Sequence, residues 1–436
     1  MAQGKATNPA VIFDDHNPPA AELYNKCVHC GFCLPTCPTY ALWGEEMDSP
    51  RGRIYLMKLG SEGKARLTDS YARHFDQCLG CMACMTACPS GVQYGKLLEA
   101  TRAQIERNYP RPWAERVRRN LGLRMFASSA RLGRARAFAS VYQKSGLRGM
   151  VHALGITKLL PKHLRSLESL MPEIRASEKL PEVTPAQGTK RMRVGLVLGC
   201  VQDKFFSHVN AATARVLAAE GCEVVAPQPQ PCCGALMIHS GAEEQALALA
   251  RQMIDTFERA NVDAIAVNAA GCGSNVKDYG YLLSGDPQYK ERAASFSRRC
   301  RDVAELLAEL EPRAERKAMS LRVAYHDACH LQHAQRVTAA PRKLLKQIPG
   351  LELLEMPEAA ICCGSAGVYN LAQPDAAAAL GDRKARNVMS LSPDVIATGN
   401  PGCILQIEAA LRRAGSRLRV VHTVEVLDAS MRGTKL

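Results

Sequence analysis

The chain has 436 residues, 47% hydrophobic and 22% charged, which is the composition of a folded protein with a sizeable core. Its 18 cysteines are unusually many. Disulfide frameworks belong mainly to small secreted domains, and the sequence shows neither a signal-peptide pattern nor an uninterrupted apolar run of about 18 residues. We therefore expect a cytoplasmic protein without a membrane-spanning helix, whose clustered cysteines are metal ligands or redox thiols. The net charge is +14, and most of it lies in one segment.

Residues 1–22 show no periodicity and are predicted to form an N-terminal arm, whereas residues 23–110 contain two cysteine runs. The runs have the C-x2-C-x2-C-x3-C-P spacing of bacterial ferredoxins, and they are Cys27, Cys30, Cys33 and Cys37, then Cys78, Cys81, Cys84 and Cys88. The closely spaced cysteines present thiolates to one iron–sulfur cube, whereas the last one, followed by proline, points to the neighbouring cube. The pattern predicts two [4Fe–4S] clusters, the first held by Cys27, Cys30, Cys33 and Cys88 and the second by Cys78, Cys81, Cys84 and Cys37.

The alternative for these runs is a pair of zinc sites, because C-x2-C pairs also bind zinc. Zinc sites typically take their four ligands as two separated pairs, whereas each run here places four cysteines within eleven residues. This spacing favours iron–sulfur clusters. The 40 residues between Cys37 and Cys78 suit a helical spacer better than a β-ribbon, so we expect an α-helical ferredoxin module. In this module, Gly31 and Gly80 are expected to let backbone N–H groups approach the cluster sulfur atoms and donate hydrogen bonds to them.

Residues 111–191 are predicted to form a basic helical segment followed by a polar linker. Between Arg111 and Arg165 there are 13 lysines and arginines against one acid, Glu115. Basic faces with interleaved leucine, methionine and phenylalanine suit an anionic membrane surface. A solvated helical face packed against a partner subunit is the alternative. Nucleic acid is disfavoured, because stacking aromatics are few in this segment and no nucleic-acid motif is present.

The rest of the chain is an internal duplication, with one copy at residues 192–320 and the other at residues 321–436. Three motifs recur at offsets of 129, 130 and 131 residues: 193–200 matches 322–329, 231–234 matches 361–364, and 262–272 matches 393–403. In each copy, short apolar runs alternate with helix-compatible stretches, which predicts β-α-β units and a parallel sheet. The cysteines of the repeats lie at or just after predicted strand ends, where the ligand sites of such sheets lie.

Each copy carries four such cysteines: Cys200, Cys232, Cys233 and Cys272 in the first, and Cys329, Cys362, Cys363 and Cys403 in the second. Adjacent cysteines suit a polynuclear centre, and the arrangement resembles the cysteine-rich domain of heterodisulfide reductases, which has five cysteines per centre. Ala269 and Asn400 stand at the fifth position here. A single cluster per repeat, a labile site, a metal-free fold and a redox-thiol role therefore all stay open. Three histidines near the second quartet are interpreted as capping or packing residues and not as ligands: His326, His330 and His333.

Together these motifs resemble the iron–sulfur subunit of glycolate oxidase (glycolate dehydrogenase). The resemblance is carried by residues 27–33, 48–55 and 84–91 and by the two Cys-Cys-Gly repeats that follow. It implies the electron-transfer subunit of a flavin-dependent 2-hydroxy-acid dehydrogenase, with FAD only in partner flavoprotein subunits that oxidise glycolate to glyoxylate. The chain would relay electrons from the flavin to a quinone or another membrane acceptor and would contain no catalytic residue for substrate oxidation. Accordingly, no G-x-G-x-x-G motif follows a predicted strand and no P-loop is present.

The expected fold is multidomain: an α-helical ferredoxin module, a basic helical segment and two tandem pseudo-symmetric α/β cysteine-rich repeats with parallel sheets. Functional alternatives are the iron–sulfur subunit of a D-lactate or glycerol-3-phosphate dehydrogenase and a thiol redox protein like heterodisulfide reductase. The expected location is the cytoplasm, with peripheral contact to the inner face of the cytoplasmic membrane through residues 111–165.

Overall fold

The structure, a computed structural model, describes residues 12–436, which fall into two units. The first unit comprises residues 12–121 together with Leu236–Ala246, and the second comprises Gly122–Ala235 and Leu247–Leu436. A short segment that follows the first Cys-Cys-Gly motif in the sequence thus belongs to the first unit. Of the predicted N-terminal arm, the part before residue 12 lies outside the described residues.

The first unit is helical, and its residues 12–121 contain no strand, in agreement with the helical spacer expected between the cysteine runs. The chain forms a 3-10 helix at Glu46–Asp48 and the helices α1 (Ala21–Tyr24), α2 (Pro38–Trp43), α3 (Pro50–Ser61), α4 (Asp69–Asp76), α5 (Ala83–Thr86), α6 (Tyr94–Asn108) and α7 (Trp113–Phe126). Helix α3 begins at Pro50 because Ser49 caps it, accepting a hydrogen bond from the Gly52 N–H at 3.0 Å. Met57, Phe75 and Leu97 are fully buried in the core, and the cysteine loops pack against this core.

The second unit contains one sheet in each repeat. The first sheet contains β1 (Val183–Thr184), which lies in the predicted linker, and the strands of the first repeat, β2 (Met192–Val197), β3 (Cys222–Val225), β4 (Ala264–Val267) and β5 (Cys300–Asp302). The strands of the second repeat are β6 (Leu321–Tyr325), β7 (Leu351–Glu355), β8 (Val395–Thr398) and β9 (Arg419–His422). The strand orders are β1-β3-β2-β4-β5 and β7-β6-β8-β9, and only the pair β1–β3 is antiparallel. The prediction of parallel sheets is therefore confirmed.

The duplication in the sequence is also visible in the register of the strands. On the central strand β2, Val194 pairs with Val224 and Ala264. On β6, Val323, which lies 129 residues later, pairs with Leu353 and Val395 in the same way. Strands β1, β5 and β9 were not predicted, because β1 and β5 are only two and three residues long and β9 contains just two apolar residues in succession.

The remaining helices connect the strands and form the basic segment. They are α8 (Ser129–Lys144), α9 (Leu147–Ala153), α10 (Lys162–Ser169), α11 (Cys200–Phe205), α12 (Ser207–Ala219), α13 (Ala235–His239), α14 (Glu243–Arg259), α15 (Ala270–Lys277), α16 (Tyr279–Leu282), α17 (Lys290–Arg299), α18 (Val303–Glu309), α19 (Ala339–Lys346), α20 (Tyr369–Ala372), α21 (Pro374–Met389), α22 (Pro401–Arg413) and α23 (Thr423–Arg432), with a 3-10 helix at Ile156–Leu159 and a π-helical turn at His330–Ala334. Apolar residues of both repeats share one core, and an ion pair of 2.7 Å between Arg215 and Asp428 joins α12 of the first repeat to α23 of the second. The two repeats therefore pack as partners within one unit.

Candidate metal centres

The first cysteine loop lines a partly open cavity. Cys27, Cys30 and Cys33 line this cavity together with Cys84 and Cys88 of the second run. The pKa of Cys27 is raised, mainly by burial and further by the neighbouring thiols of Cys88 and Cys30. The structure thus brings together the four cysteines expected at the first cluster.

The second cysteine loop lies deeper in the unit. Cys78 and Cys81 are buried, and so is Cys37, which precedes α2. The pKa of Cys84 is raised well above the usual value, mainly by burial and then by other thiols, among which Cys37 is one. The Gly80 N–H donates to Cys78 Sγ at 3.4 Å, the kind of bond expected to set a cluster's potential. Cys37 therefore lies within electrostatic reach of Cys84 in the second run, as it does of Cys33 in its own run.

The donor set fits two four-thiolate clusters. All 18 cysteines lie within the described residues 12–436, and each carries a free thiol. Cys222 and Cys300, which lie outside the four ligand sets, are fully buried among apolar residues. They are packing residues, as the sequence pattern indicates.

The Pro-Arg-Gly-Arg motif at residues 50–53 supports the first cysteine loop. Arg51 donates to the backbone oxygen of His29 at 3.1 Å and pairs with Glu46 at 2.7 Å. Gly52 has no room for a side chain, since a Cβ there would lie 1.9 Å from the backbone oxygen of Glu46. This close approach holds the start of α3 against the 3-10 helix, and so holds Arg51 at the loop.

The second arginine of the motif, Arg53, supports the second cysteine loop from inside the protein. It is fully buried and donates to the backbone oxygen of His74 at 2.6 Å and to Thr39 Oγ1 at 3.1 Å. It also donates to the carboxylate of Asp48 at 3.1 Å, and His74 Nδ1 lies 2.9 Å from the same carboxylate. Arg53 therefore joins Thr39 and His74, which lie close in sequence to Cys37 and Cys78, to Asp48 on the 3-10 helix.

The charge of Arg53 acts on the thiols of the second site. Burial alone would lower the pKa of Arg53, but negative charge on nearby groups, Cys78 foremost, outweighs burial and raises it. Burial likewise opposes ionisation of Cys78, yet the charges of Arg53 and Arg102 lower the pKa of this thiol. The site therefore favours the thiolate, which is the form that binds iron. The sequence showed the motif but not this role, because the burial of Arg53 is a tertiary property.

Arg102 on α6 ties the second cysteine loop to a distant part of the sequence. Its guanidinium donates to the backbone oxygens of Cys78 and, at 2.9 Å, His239. His239 lies in Leu236–Ala246, and a Cβ on Gly241 of this segment would lie only 2.4 Å from the backbone oxygen of Arg102. The segment therefore packs closely on the helix that supports the second loop, a contact that no sequence motif indicates.

The first repeat gathers its four cysteines at the carboxyl ends of its strands. Cys200 begins α11 after β2, Cys232 and Cys233 follow β3, and Cys272 lies in the first turn of α15 after β4. The sulfur atoms of Cys200 and Cys232 are 3.5 Å apart, and the thiol of Cys233 contacts those of Cys232 and Cys272. Tyr279 fixes this loop by donating to the backbone oxygen of Cys233 at 2.7 Å. The quartet predicted from the repeat motif is thus one cluster of thiols.

The four cysteines of the second repeat are arranged in the same way, but the sulfur atoms of the first two are farther apart than in the first repeat. Cys329 and Cys362 have their sulfur atoms 3.9 Å apart, and the thiol of Cys363 contacts those of Cys362 and Cys403. Gly364 has a φ of +90°, and a Cβ there would lie 2.7 Å from a backbone oxygen of α21, so the sharp turn after the adjacent cysteines requires glycine.

The two residues at the missing fifth positions lie where the repeats meet. Asn400 donates from Nδ2 to Cys403 Sγ at 3.4 Å and accepts at Oδ1 from the Gly271 N–H at 3.3 Å. Gly271 precedes Cys272 directly and follows Ala269 by two residues. Asn400 therefore links the second quartet to the backbone of the first, a role that a fifth thiolate ligand would not have.

Two of the three histidines near the second quartet have the packing role expected of them. His330 Nδ1 lies 2.6 Å from Ser274 Oγ, and His333 Nε2 lies 3.1 Å from the backbone oxygen of Ala360. The ring of His326 makes no such bond to any described residue.

The basic segment is helical, as predicted, and leaves large apolar side chains uncovered. Trp113, Val117 and Leu121 recur at every fourth position of α7 and are 78%, 53% and 64% exposed. On α8, Phe138 is 76% exposed and lies four residues from Arg134. Within residues 12–436, no helix is both long enough and apolar enough to cross a membrane.

Models of known protein families match successive parts of the chain. A family model described as "4Fe-4S dicluster domain" matches residues 23–92. One described as "Glycolate oxidase iron-sulfur subunit, linker region" matches residues 114–171, which include most of the basic segment. One described as "Cysteine-rich domain" matches residues 194–277 and 323–408.

Some known proteins are similar to this chain over nearly its whole length, and others over about half of it. The "Probable glycolate oxidase iron-sulfur subunit" of Bacillus subtilis (strain 168) is 40% identical over 415 residues, which cover 93% of this chain and 93% of that protein. The "Glycolate oxidase iron-sulfur subunit" of Escherichia coli (strain K12) is 38% identical over 424 residues, covering 94% and 95%. "Lactate utilization protein A" of Oceanobacillus iheyensis is 29% identical over 243 residues, which cover 56% of this chain and 99% of that protein.

Proposed function

Because the chain belongs to the family of glycolate oxidase iron–sulfur subunits, we propose that it relays electrons from FAD in flavoprotein subunits to a quinone or another membrane acceptor during glycolate oxidation. Each [4Fe–4S] cluster, when bound, takes up and passes on one electron at a time. The residues of the chain hold the clusters and set their potentials through burial, nearby charge and N–H···S bonds. The observation that carries the proposal is the convergence of two complete ferredoxin runs in one helical unit.

We assign the ligands of the clusters as the sequence predicts them. The first set is Cys27, Cys30, Cys33 and Cys88, and the second is Cys78, Cys81, Cys84 and Cys37. The cavity shared by the first run and Cys88 supports the first set. The second set is supported by the buried guanidinium of Arg53, with which both Cys78 and Cys37 interact electrostatically. We retain the five-segment division of the sequence, with boundaries after residues 22, 110, 191 and 320. We also retain both repeat quartets as candidates for further iron–sulfur centres: Cys200, Cys232, Cys233 and Cys272, and Cys329, Cys362, Cys363 and Cys403.

The first cluster site is the one placed to exchange electrons with a partner subunit. Cys30 is exposed, and the apolar side chains of Val28 and Phe32 on either side of it are 69% and 67% exposed. Cys37, Cys78 and Cys81 of the second site are buried. Exposed apolar side chains around a redox site suit the core of a protein–protein interface.

The proposal is tested by mixing the cluster-loaded chain with the FAD-containing subunits under anaerobic conditions. Glycolate should reduce the clusters only when the flavoprotein is present. A Phe32→Asp variant should keep its iron but be reduced at least about tenfold more slowly, because a central apolar contact of an interface is lost. Val183→Asp, at a half-exposed site on β1, is the matched control and should leave the rate unchanged.

Three outcomes would contradict the relay: glycolate oxidation by the chain alone, reduction of a disulfide by the chain alone, or purification without iron and sulfide. The partial similarity to a lactate utilization protein makes D-lactate the second candidate substrate of the complex. Faster cluster reduction with D-lactate than with glycolate would favour that candidate.

We further infer that residues 111–165 attach the chain to the surface of an anionic membrane. The segment combines 13 cations and one acid with exposed apolar side chains such as Trp113 and Phe138. Cations bind anionic headgroups, and uncovered apolar side chains insert at their level. On α8, Arg131, Arg134 and Phe138 are exposed at positions that share one helix face.

Charge reversal on this face should weaken binding to phosphatidylserine vesicles. Replacing Arg131 and Arg134 by glutamate should lower the affinity by at least about 30-fold, since each cation near an anionic leaflet contributes about 1 kcal/mol. Arg259→Glu with Arg417→Glu makes the same change of charge at exposed positions outside the segment and should have little effect. Equal losses in sedimentation assays of the two double variants would contradict a specific membrane face and leave a partner subunit as its occupant.

A further inference from the structure

Tyr94, the first residue of α6, contacts both candidate cluster sites of the first unit. It lines the cavity of the first site together with Cys27 and Cys88. Its hydroxyl oxygen lies 3.5 Å from the sulfur of Cys78, which is assigned to the second site. The side chain is buried, where a hydroxyl without a partner would cost free energy, and Cys78 supplies this partner. One side chain therefore joins the two sites.

The hydrogen bond runs from the hydroxyl to the sulfur when the cluster is bound. A cysteine that ligates iron is a thiolate without a proton, so the Tyr94 hydroxyl has to donate and Cys78 Sγ has to accept. The Gly80 N–H donates to the same sulfur at 3.4 Å. A donor binds more strongly as its acceptor becomes more negative. The hydroxyl of Tyr94 therefore stabilises the reduced state of the second cluster more than the oxidised state, which raises the potential of this cluster.

The backbone around Tyr94 packs directly on the second cysteine loop. A Cβ on Gly95 would lie 3.1 Å from Met82 Sδ, so the first turn of α6 has little room for a side chain there. The Tyr94 N–H donates to the backbone oxygen of Val92 at 2.9 Å. These contacts fix the start of α6 without using the hydroxyl. Removing the hydroxyl alone should therefore leave the ring of Tyr94 in place.

A second hydroxyl group near a ligand sulfur uses its proton differently. Thr39 Oγ1 lies 3.2 Å from Cys37 Sγ, but it donates to the backbone oxygen of Asp48 at 2.6 Å. A hydroxyl has a single proton, and that of Thr39 is taken by this carbonyl group. Of these two hydroxyl groups, that of Tyr94 is therefore the one that directs its proton at a sulfur atom.

We propose that Tyr94 is a positioning residue of the electron relay and acts through Cys78. Its hydroxyl raises the midpoint potential of the second cluster and so favours the passage of one electron from the first site to the second. In this step the first cluster is oxidised and the second is reduced by the same electron, while the hydroxyl proton stays on Tyr94. The inference rests on the proposed function, in which the first site, with its exposed Cys30, exchanges electrons with a partner subunit.

Tyr94→Phe removes the hydroxyl and keeps the ring. The full-length chain, purified anaerobically with both clusters, is titrated with dithionite and followed by EPR, and the second cluster alone should become harder to reduce. Losing a hydrogen bond to a charged acceptor should shift the sharing of an electron between the clusters about three- to tenfold toward the first, which is about 30–60 mV for a one-electron couple. Cys30→Ser and Cys81→Ser assign the EPR signals, since each removes one ligand of one cluster.

Tyr71→Phe is the matched control, because Tyr71 is also buried in the first unit but donates to the backbone oxygen of Leu56 at 3.2 Å. It should leave both potentials unchanged. Replacing Tyr94 by 3-fluorotyrosine keeps the ring and makes the hydroxyl a stronger donor, so the potential of the second cluster should rise. This second replacement decides the question if Tyr94→Phe loses its clusters.

The proposal would be overturned by an unchanged second potential in Tyr94→Phe, by an equal shift of both clusters, by a similar shift in Tyr71→Phe, or by no rise with 3-fluorotyrosine. Dithionite takes the place of the flavoprotein in these titrations, so the potentials do not depend on glycolate as the electron source. Failure of glycolate to reduce the clusters in the mixed complex would contradict the relay and is a separate result.

Discussion

Replacing Cys84 by serine should stop substrate-linked quinone reduction while leaving reduction of an artificial dye by the flavoprotein subunits almost unchanged. Cys84 lies on α5 among the thiols assigned to the second cluster and contributes to the cavity of the first. Losing an outer-shell partner of a metal ligand already changes activity by about 10–100-fold, so losing a ligand should cost at least about 100-fold. The measurement is the rate of glycolate-dependent quinone reduction beside the rate of dye reduction, with the EPR signal of each cluster recorded in the same preparation.

Cys300→Ser is the matched control for this experiment. Cys300 is fully buried outside all the ligand sets, and its thiol lies 3.3 Å from the backbone oxygen of Phe296, so a serine hydroxyl finds the same acceptor. This variant should keep both activities and both clusters. Loss of dye reduction in Cys84→Ser would mean that the second cluster holds the complex together, and unchanged quinone reduction would mean that Cys84 lies off the electron path.

Sequence patterns predicted the parts of the fold that depend on local periodicity and on spacing. The central strands and the position of each repeat cysteine at a strand end follow from apolar runs such as residues 264–267 and 395–397. Strands β1, β5 and β9 escaped prediction because they are short or polar, and their pairing is set by the neighbouring strand rather than by their own composition.

For the candidate sites, too, sequence spacing predicted some residues and missed others. The spacing of cysteines along a chain is typical of the metal site that they form, so all four groups of cysteines were predicted from the sequence. Arg53 and Arg102 were not found, since a buried arginine and an exposed one look alike in sequence. The placement of Leu236–Ala246 in the first unit likewise rests on contacts between residues more than 130 positions apart, such as that of Arg102 with His239.

Arg53→Met should both destabilise the first unit and shift the reduction potential of the second cluster. The substitution leaves the buried carboxylate of Asp48 without its guanidinium partner, although His74 stays 2.9 Å from it. Removing one member of a buried ion pair typically costs about 3–5 kcal/mol. A cation a few ångströms from a redox centre contributes about 2–4 kcal/mol at an effective dielectric constant near 20, so its loss should make the potential more negative by the order of 100 mV.

Arg51→Met and Arg53→Lys separate these two effects. Arg51 is 28% exposed and contacts the first loop, so its loss should cost at most about 1 kcal/mol and leave the potential of the second cluster unchanged. Lysine at position 53 keeps the charge but lacks the planar fork that reaches His74, Thr39 and Asp48 together, so it should restore the potential more fully than the stability. Potentials from redox-titrated EPR and the urea midpoint at which visible cluster absorbance is lost give both quantities on one sample. Equal potentials in Arg53→Met and the unchanged chain would show that Arg53 acts on the second loop through its hydrogen bonds alone.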